Sequence, residues 1–282
     1  MQLDTIYNEN CLDTLNRMRI AKVRPDLVVT SPPYDDLRVY GGRTYGADFM
    51  RNEFPFIAEG LYQVMAKGGV VVWIVGDQVV NYSETGTSFS QALYFMDVGF
   101  KLHDTMIYQK SGQINRDTTR YTQAFEYMFV LSKGRPKTIH QIEDKRNKNV
   151  GKAAIGSSIR AVNGARRDKS SHPIKSMSVR TNVWQYVAGG HSHTTDKIAF
   201  NHPATFPEKL VLDHITSWSN EGDLVYDPFL GSGTTAKVAR NLNRRWIGSE
   251  INEDYCAIAQ KRLSRCDLFD PNAERNYVNA KR

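Results

Sequence analysis

Cysteine is scarce in this chain: its 282 residues hold three, Cys11, Cys256 and Cys266, an odd number with no CxxC pair. That usage excludes a disulfide framework, argues against structural zinc, and fits reduced thiols. Long apolar runs are missing too. The longest, Val70 to Val75, falls far short of the roughly 20 residues a membrane helix needs and reads as a strand buried on both faces. Met1-Gln-Leu-Asp4 lacks the basic and apolar regions of a signal peptide, so the expected location is the cytoplasm, with no membrane partner. No Gly-Lys-Ser or Gly-Lys-Thr occurs, which removes the phosphate lysine of a P-loop and with it an NTPase. What is present is ordinary globular material, 40% hydrophobic, enough for one large α/β core or two smaller units. The net charge of +7 points to a polyanionic partner without naming it.

The charge is unevenly placed. Between Lys133 and Arg180 stand 13 Lys and Arg against Glu143, Asp144 and Asp168, a surplus of ten where the whole chain carries +7. One segment therefore holds more than the entire positive charge, as a nucleic-acid contact surface would, although a solvated face is the plainer explanation of any charge run. Arg146, Lys148, Arg166, Arg167 and Lys169 are its candidate nucleic-acid contacts. Apolar residues thin out there and no period holds.

On either side, strand and helix patterns alternate, the signature of a parallel, doubly wound sheet. Leu3 to Tyr7 reads as a strand, Cys11 to Met18 as a helix, and Asp26 to Val29 as a second strand. Asp35 to Asp48 is too broken for a regular element and reads as a mobile active-site loop or a plain spacer. A helix through Phe56, Ile57, Leu61, Val64 and Met65, capped by Gly68-Gly69, leads into the Val70 strand. A helix over Ser88 to Val98 follows, with Phe89, Leu93, Phe95 and Met96 as its apolar members. Phe100 to Tyr108 and Ala124 to Leu131 fit an antiparallel pair at a sheet edge. After the insert, Asn182 to Trp184 returns to the core and Pro207 opens a helix through Leu212 and Ile215. Asp223 to Tyr226 is a strand, Ala236 to Asn241 a helix, Trp246 to Glu250 a strand, and Glu253 to Leu263 the last helix.

Two turns in this framework carry chemistry. In Thr30-Ser-Pro-Pro-Tyr34 an apolar strand stops at two prolines, which hold Ser31 and Pro32 extended with a carbonyl turned outward. A hydroxyl, a carbonyl and an aromatic ring at a strand end make an acceptor site beside a stacking surface, suited to a planar amine such as a nucleobase. The bland alternative is a simple strand end. Near the other end, Gly231-Ser-Gly233-Thr-Thr-Ala236 fits G-x-G-x-x-G/A directly after a strand, and Glu250 follows 19 residues later at the end of the next one. In a doubly wound sheet that acid faces the same crevice and can accept from a ribose diol, so the pair suits an adenosine-bearing cofactor. Alone, the glycine pattern is weak. An oxidoreductase would use the same turn but leaves Ser31 to Tyr34 and the basic insert without a purpose. A DNA-binding protein without catalysis would need neither motif intact.

Thr30-Ser-Pro-Pro-Tyr34, His202-Pro-Ala-Thr-Phe-Pro207 and Asp227-Pro-Phe-Leu-Gly-Ser-Gly-Thr-Thr235, in that order, resemble the β arrangement of the S-adenosylmethionine-dependent DNA amino-methyltransferases. The resemblance covers Leu3 to Leu263 and implies a Rossmann-like sheet with an antiparallel edge hairpin. It divides the chain into a catalytic half (1–132), a target-recognition insert (133–200), a cofactor-binding half (201–265) and a tail (266–282). It assigns catalysis to Ser31, Pro32, Pro33 and Tyr34. Cofactor binding falls to Asp227, Phe229, Gly231, Ser232, Gly233 and Thr234, to Glu250 at the ribose, to Phe206 and Pro207, and to Thr30. Where the family has an Asp beside the adenine this chain has Asn10, next to Cys11, with Asp4 and Asp13 nearby. Cys11 lacks the Pro-Cys setting of a cytosine-C5 nucleophile. The resemblance implies double-stranded DNA as substrate, and leaves room for a cognate restriction endonuclease and a homodimer; no metal is implied. Ser31 and the His202 motif favour cytosine N4 as the methylated atom, with adenine N6 as the alternative.

Overall fold

The computed structural model describes residues 1–33, 46–111, 119–152, 159–160, 163–164, 166–167, 173–187, 198–199 and 207–264. The chain forms two compact units, one of Met1–His140 with Asn182–Arg282, the other Gln141–Thr181.

The first unit is built on an eight-stranded sheet. Its strands in chain order are β1 (Thr5–Tyr7), β2 (Leu27–Thr30), β3 (Val70–Val75), β4 (Lys101–Ser111), β5 (Phe125–Ser132), β6 (Val183–Val187), β7 (Leu224–Asp227) and β8 (Arg245–Ser249). In space they run β1-β8-β7-β2-β3-β5-β4-β6, and β5 alone runs against the rest. Central strands covered on both faces must be apolar throughout, and all six residues of β3 and all four of β2 are buried.

The helices are α1 (Cys11–Ala21), α2 (Gly46–Asn52), α3 (Phe54–Val64), α4 (Thr87–Val98), α5 (Glu208–Trp218), α6 (Thr234–Asn241) and α7 (Glu253–Ser264). Alternation along the strands sorts the core into two layers. Val71, Trp73, Phe129 and Leu131 pack with Leu15 and Met18 of α1, Ile57 and Leu61 of α3, and Phe95 of α4. From the other face, Met128 meets His214 of α5, Nε2 to Sδ 3.2 Å. Each fully buried Leu, Ile or Phe in these layers contributes roughly 1.5–3 kcal/mol.

Several local readings shift. The β4–β5 hairpin is antiparallel, but the sheet continues past it: β6 pairs parallel to β4 and takes the edge. α3 ends with Met65 as its cap, so Gly68-Gly69 do not close it. Gly68 instead turns the chain into β3 at φ +77°, where a Cβ would meet the Arg135 carbonyl at 2.9 Å. In α4 only Phe95 of the four apolar members is fully buried, while Phe89, Leu93 and Met96 are exposed. The helix is rotated so that Gln91 accepts from Trp73 Nε1 at 2.6 Å and Ser88 bonds Asp77, because two buried polar groups need partners. The stretch read as a loop over Asp35 to Asp48 already enters α2 at Gly46; its residues 35–45 lie outside the described residues.

Among the described residues the second unit holds two short antiparallel pairings, Glu143–Arg146 with Met177–Val179 and Ile159–Arg160 with Arg166–Arg167. Neither was legible in a segment without apolar alternation.

Candidate active site

β7 leads to β8 on one side and β2 leads to β3 on the other, so the strand order reverses between β7 and β2. That crevice, at the carboxyl ends of the strands, is where open α/β sheets bind ligands. Leu27 pairs with Val225 and Val28 with Tyr226, which brings the ends of the two strands level. The Ser31-Pro-Pro turn leaves β2 there, and the glycine turn leaves β7. They are joined directly: Thr30, fully buried, donates its hydroxyl to Asp227 Oδ1 at 2.6 Å. Thr235, at the start of α6, donates to the Val29 carbonyl at 3.2 Å.

Asp227 is 1% exposed. Its Oδ1 also receives the Phe229 amide at 3.0 Å, whereas Oδ2 accepts no hydrogen bond from the described residues. Burial pushes its carboxyl up to about 6, and the hydrogen bonds of Thr30, of Thr235 and of the Phe229 amide pull the other way. A buried carboxylate oxygen with no donor costs free energy until one arrives, so Oδ2 marks a place for a donor, best a cationic one. The Phe229 ring stands edge-on to Trp73 and Phe49, 6.1 Å from each, and so ties the turn to β3 and α2.

The glycine turn is shaped by its own backbone and by Glu250. Gly233 has φ +83°, and a Cβ on it would lie 2.8 Å from the Ala259 Cβ on α7, so only glycine lets the turn approach that helix. Glu250, just past β8, accepts the Gly231 amide on Oε2 and the Asn252 amide on Oε1, both at 2.8 Å. Burial raises its carboxyl above the usual range, opposed by these amides. The acid therefore tethers the turn.

Behind the turn lies a feature the sequence reading missed. Arg262 of α7, 1% exposed, donates through Nη1 to the Ser232 carbonyl (2.7 Å), to Ser232 Oγ (2.9 Å) and to Thr234 Oγ1 (3.1 Å). Through Nη2 it meets Glu208 Oε1 at 2.8 Å, and Lys237 Nζ reaches the same oxygen at 2.8 Å. The hydroxyls of Ser232 and Thr234 thus face α7. The only sequence signal was an arginine at a position of the last helix where its pattern calls for burial.

The remaining candidates sort as follows. Ser31 and Pro33 are half-buried and Pro32 buried at the crevice. Asn10 caps α1, its Oδ1 accepting the Leu12 amide at 2.9 Å. Cys11 is the buried first residue of that helix; desolvation, then the charge of Glu53, pushes its thiol up to about 12, far from a thiolate nucleophile. Pro207 is the N-cap of α5 and buried. Arg146 and Lys148 are exposed, and Arg166 and Arg167 lie on a strand of the second unit. Tyr34, Phe206 and Lys169 lie outside the described residues. Among the described residues no group of His, Cys, Asp or Glu could hold a metal ion, and no helix is long and apolar enough to cross a membrane.

The N6_N4_Mtase family model, described as DNA methylase, matches residues 25–261. The orphan methyltransferase M.BamHII of Bacillus amyloliquefaciens is 53% identical over 251 residues, covering 88% of this chain and 92% of that protein. The type II methyltransferase M.BglII of Bacillus subtilis is 27% identical, covering 99% of this chain and 73% of its own. Among solved structures, the PvuII DNA methyltransferase (cytosine-N4-specific) has the same fold at TM-score 0.67 and 21% identity, with 97% of this chain and 91% of that one covered. The M1.HpyAVI–SAM complex matches at TM-score 0.60 and 19% identity, over 92% and 98%.

Proposed function

This chain belongs to the N6/N4 DNA methylase family, and on that premise we propose that it moves a methyl group from S-adenosylmethionine to the N4 amino group of cytosine in duplex DNA. The observation that carries the reading is the Thr30–Asp227 bond, which sets the Ser31-Pro-Pro turn against the glycine turn of a doubly wound sheet. The lone pair of an exocyclic amine is delocalised into its ring, so the nitrogen is a poor nucleophile. The Ser31 hydroxyl and the Pro32 carbonyl accept its two hydrogens, draw it toward tetrahedral geometry and stabilise the positive charge that grows on it as it attacks in line. Tyr34 stacks on the base drawn out of the helix. When bound, the cofactor supplies an electrophilic methyl group on a sulfonium. The unpartnered Asp227 Oδ2 fits its ammonium, and the Gly231–Gly233 turn and Glu250 fit its remaining polar groups. Arg146, Lys148, Arg166, Arg167 and Lys169 are read as contacts to the DNA backbone.

Serine at position 31 supports cytosine over adenine. Mass spectrometry of nucleosides from duplex DNA treated with the enzyme is expected to find N4-methylcytosine. A product containing only N6-methyladenine would overturn the choice of base and leave the reaction class standing.

The Asp227 carboxyl makes cofactor affinity depend on pH. With its ionisation raised to about 6, the group is neutral below that value and cannot pair with an ammonium. Affinity measured by calorimetry is therefore expected to rise as pH increases through 6 and to level off near 7, changing about tenfold per pH unit on the acid side. Asp227→Asn should bind weakly and without that rise. A wild-type profile flat from pH 5 to 7.5 would show that Oδ2 does not receive the ammonium.

A further inference from the structure

Between β3 and α4 the chain makes a small hairpin that no motif announced. Val79 pairs with Glu84 and Val80 with Ser83, and the turn residues Asn81 and Tyr82 sit at φ +50° and +65°. Asparagine tolerates the left-handed region, but a bulky tyrosine does so at a cost that the fold must offset elsewhere. Among the described residues the Tyr82 ring has no aromatic partner to recover that cost, and the residue is 82% exposed. The backbone beneath it is nevertheless held firmly. Arg120 donates to the Tyr82 carbonyl at 3.3 Å and to Glu84 Oε1 at 2.8 Å. The Thr85 amide returns to the Gln78 carbonyl at 2.9 Å. Asp77, 5% exposed, accepts the Ser88 amide at 2.8 Å and so anchors the hairpin's base to α4.

The hairpin's place gives the exposed ring a purpose. Thr30 is level with Trp73 in register, so β3 ends beside the Ser31-Pro-Pro turn, and the hairpin begins four residues beyond Val75. β5, running the opposite way, starts at this end too, and the residue next to Arg120 is Tyr121, fully exposed. The rim of the crevice at β3 and β5 therefore presents two bare tyrosines and an arginine, together with the half-exposed Val79 and Val80. A base withdrawn into the crevice leaves a gap in the stack, and a rigidly held aromatic ring at the rim is the group that covers the exposed neighbours.

We propose that the Val79–Glu84 hairpin is a DNA-contacting element of this enzyme, with the Tyr82 ring stacking on the bases exposed when the target leaves the duplex. The proposal rests on the methyltransferase reading and names a surface outside the basic insert. A left-handed tyrosine maintained on a braced turn is accounted for by a partner's gain, since strain of this kind persists where function uses it.

Tyr82→Gly separates the two roles. Glycine relieves the positive φ, so the variant is expected to keep or raise its thermal midpoint and to bind S-adenosylmethionine within twofold of wild type. Its kcat/KM on duplex DNA should fall about tenfold, as should the fluorescence rise of 2-aminopurine at the target position, because one aromatic–base stack is lost. Tyr82→Phe, which keeps the ring, should restore most of both. If wild type methylates DNA and Tyr82→Gly does so equally well, the hairpin proposal fails alone. If Tyr82→Gly instead alters sedimentation of the free protein with kcat/KM intact, the surface serves a protein contact and the proposal fails likewise. If wild type methylates no DNA, the functional reading falls and the proposal with it.

Discussion

Glu208→Gln is expected to destabilise the fold by roughly 3 kcal/mol in denaturant titration. The reason is the position of the carboxylate. At 1% exposure its Oε1 is shared by Lys237 and Arg262, whose side chains are 8% and 0% exposed. An amide oxygen can still accept both hydrogen bonds but carries no charge, and the two cations then face each other with water excluded. A guanidinium keeps its charge at any pH a protein tolerates, so it cannot escape by losing a proton. Restoring balance from the other side, Glu208→Gln with Lys237→Met is expected to recover part of the loss, which a merely overpacked site would not do. The effect should also reach the cofactor. Arg262 holds the Ser232 carbonyl at the heart of the glycine turn, so S-adenosylmethionine affinity should weaken at temperatures where the variant is fully folded. A stability change under about 1 kcal/mol would mean that the three charges are not coupled as their geometry indicates.

Ser31→Ala is expected to lower kcat by about 100-fold, the size of effect seen when one aligned group that stabilises transition-state charge is removed. The hydroxyl lies at the carboxyl end of β2, one residue beyond the Thr30 side chain that bonds Asp227. Its removal leaves that bond, the glycine turn and the Glu250 tether in place. Cofactor affinity should therefore stay within about twofold, and KM for DNA should move little, because the amine needs its acceptor most as charge develops. Single-turnover methylation with labelled cofactor measures the step itself. Equal loss in kcat and in cofactor affinity would show that Ser31 supports the cofactor pocket and does not act on the amine.

The sequence by itself determined the alternation of helix and parallel strand, the order of the elements along the chain and the two turns that end β2 and β7. Those features are local: β3 is six consecutive apolar residues, β2 breaks at two prolines, and the glycines precede a helix directly. Period, proline and glycine act over a few neighbours, so they can be read along the chain. Only the tertiary structure decided what depends on distant residues. Thr30 and Asp227 are 197 positions apart, and their bond exists because β2 and β7 are adjacent. Glu208, Lys237 and Arg262 come from three helices, and nothing local says that their charges share one buried oxygen. The rotation of α4 was set by what Trp73 and Asp77 required, against the apolar pattern of Phe89, Leu93 and Met96. Burying a polar group without a partner costs more than leaving an apolar side chain exposed, and which polar groups are buried is fixed only when the sheet has closed.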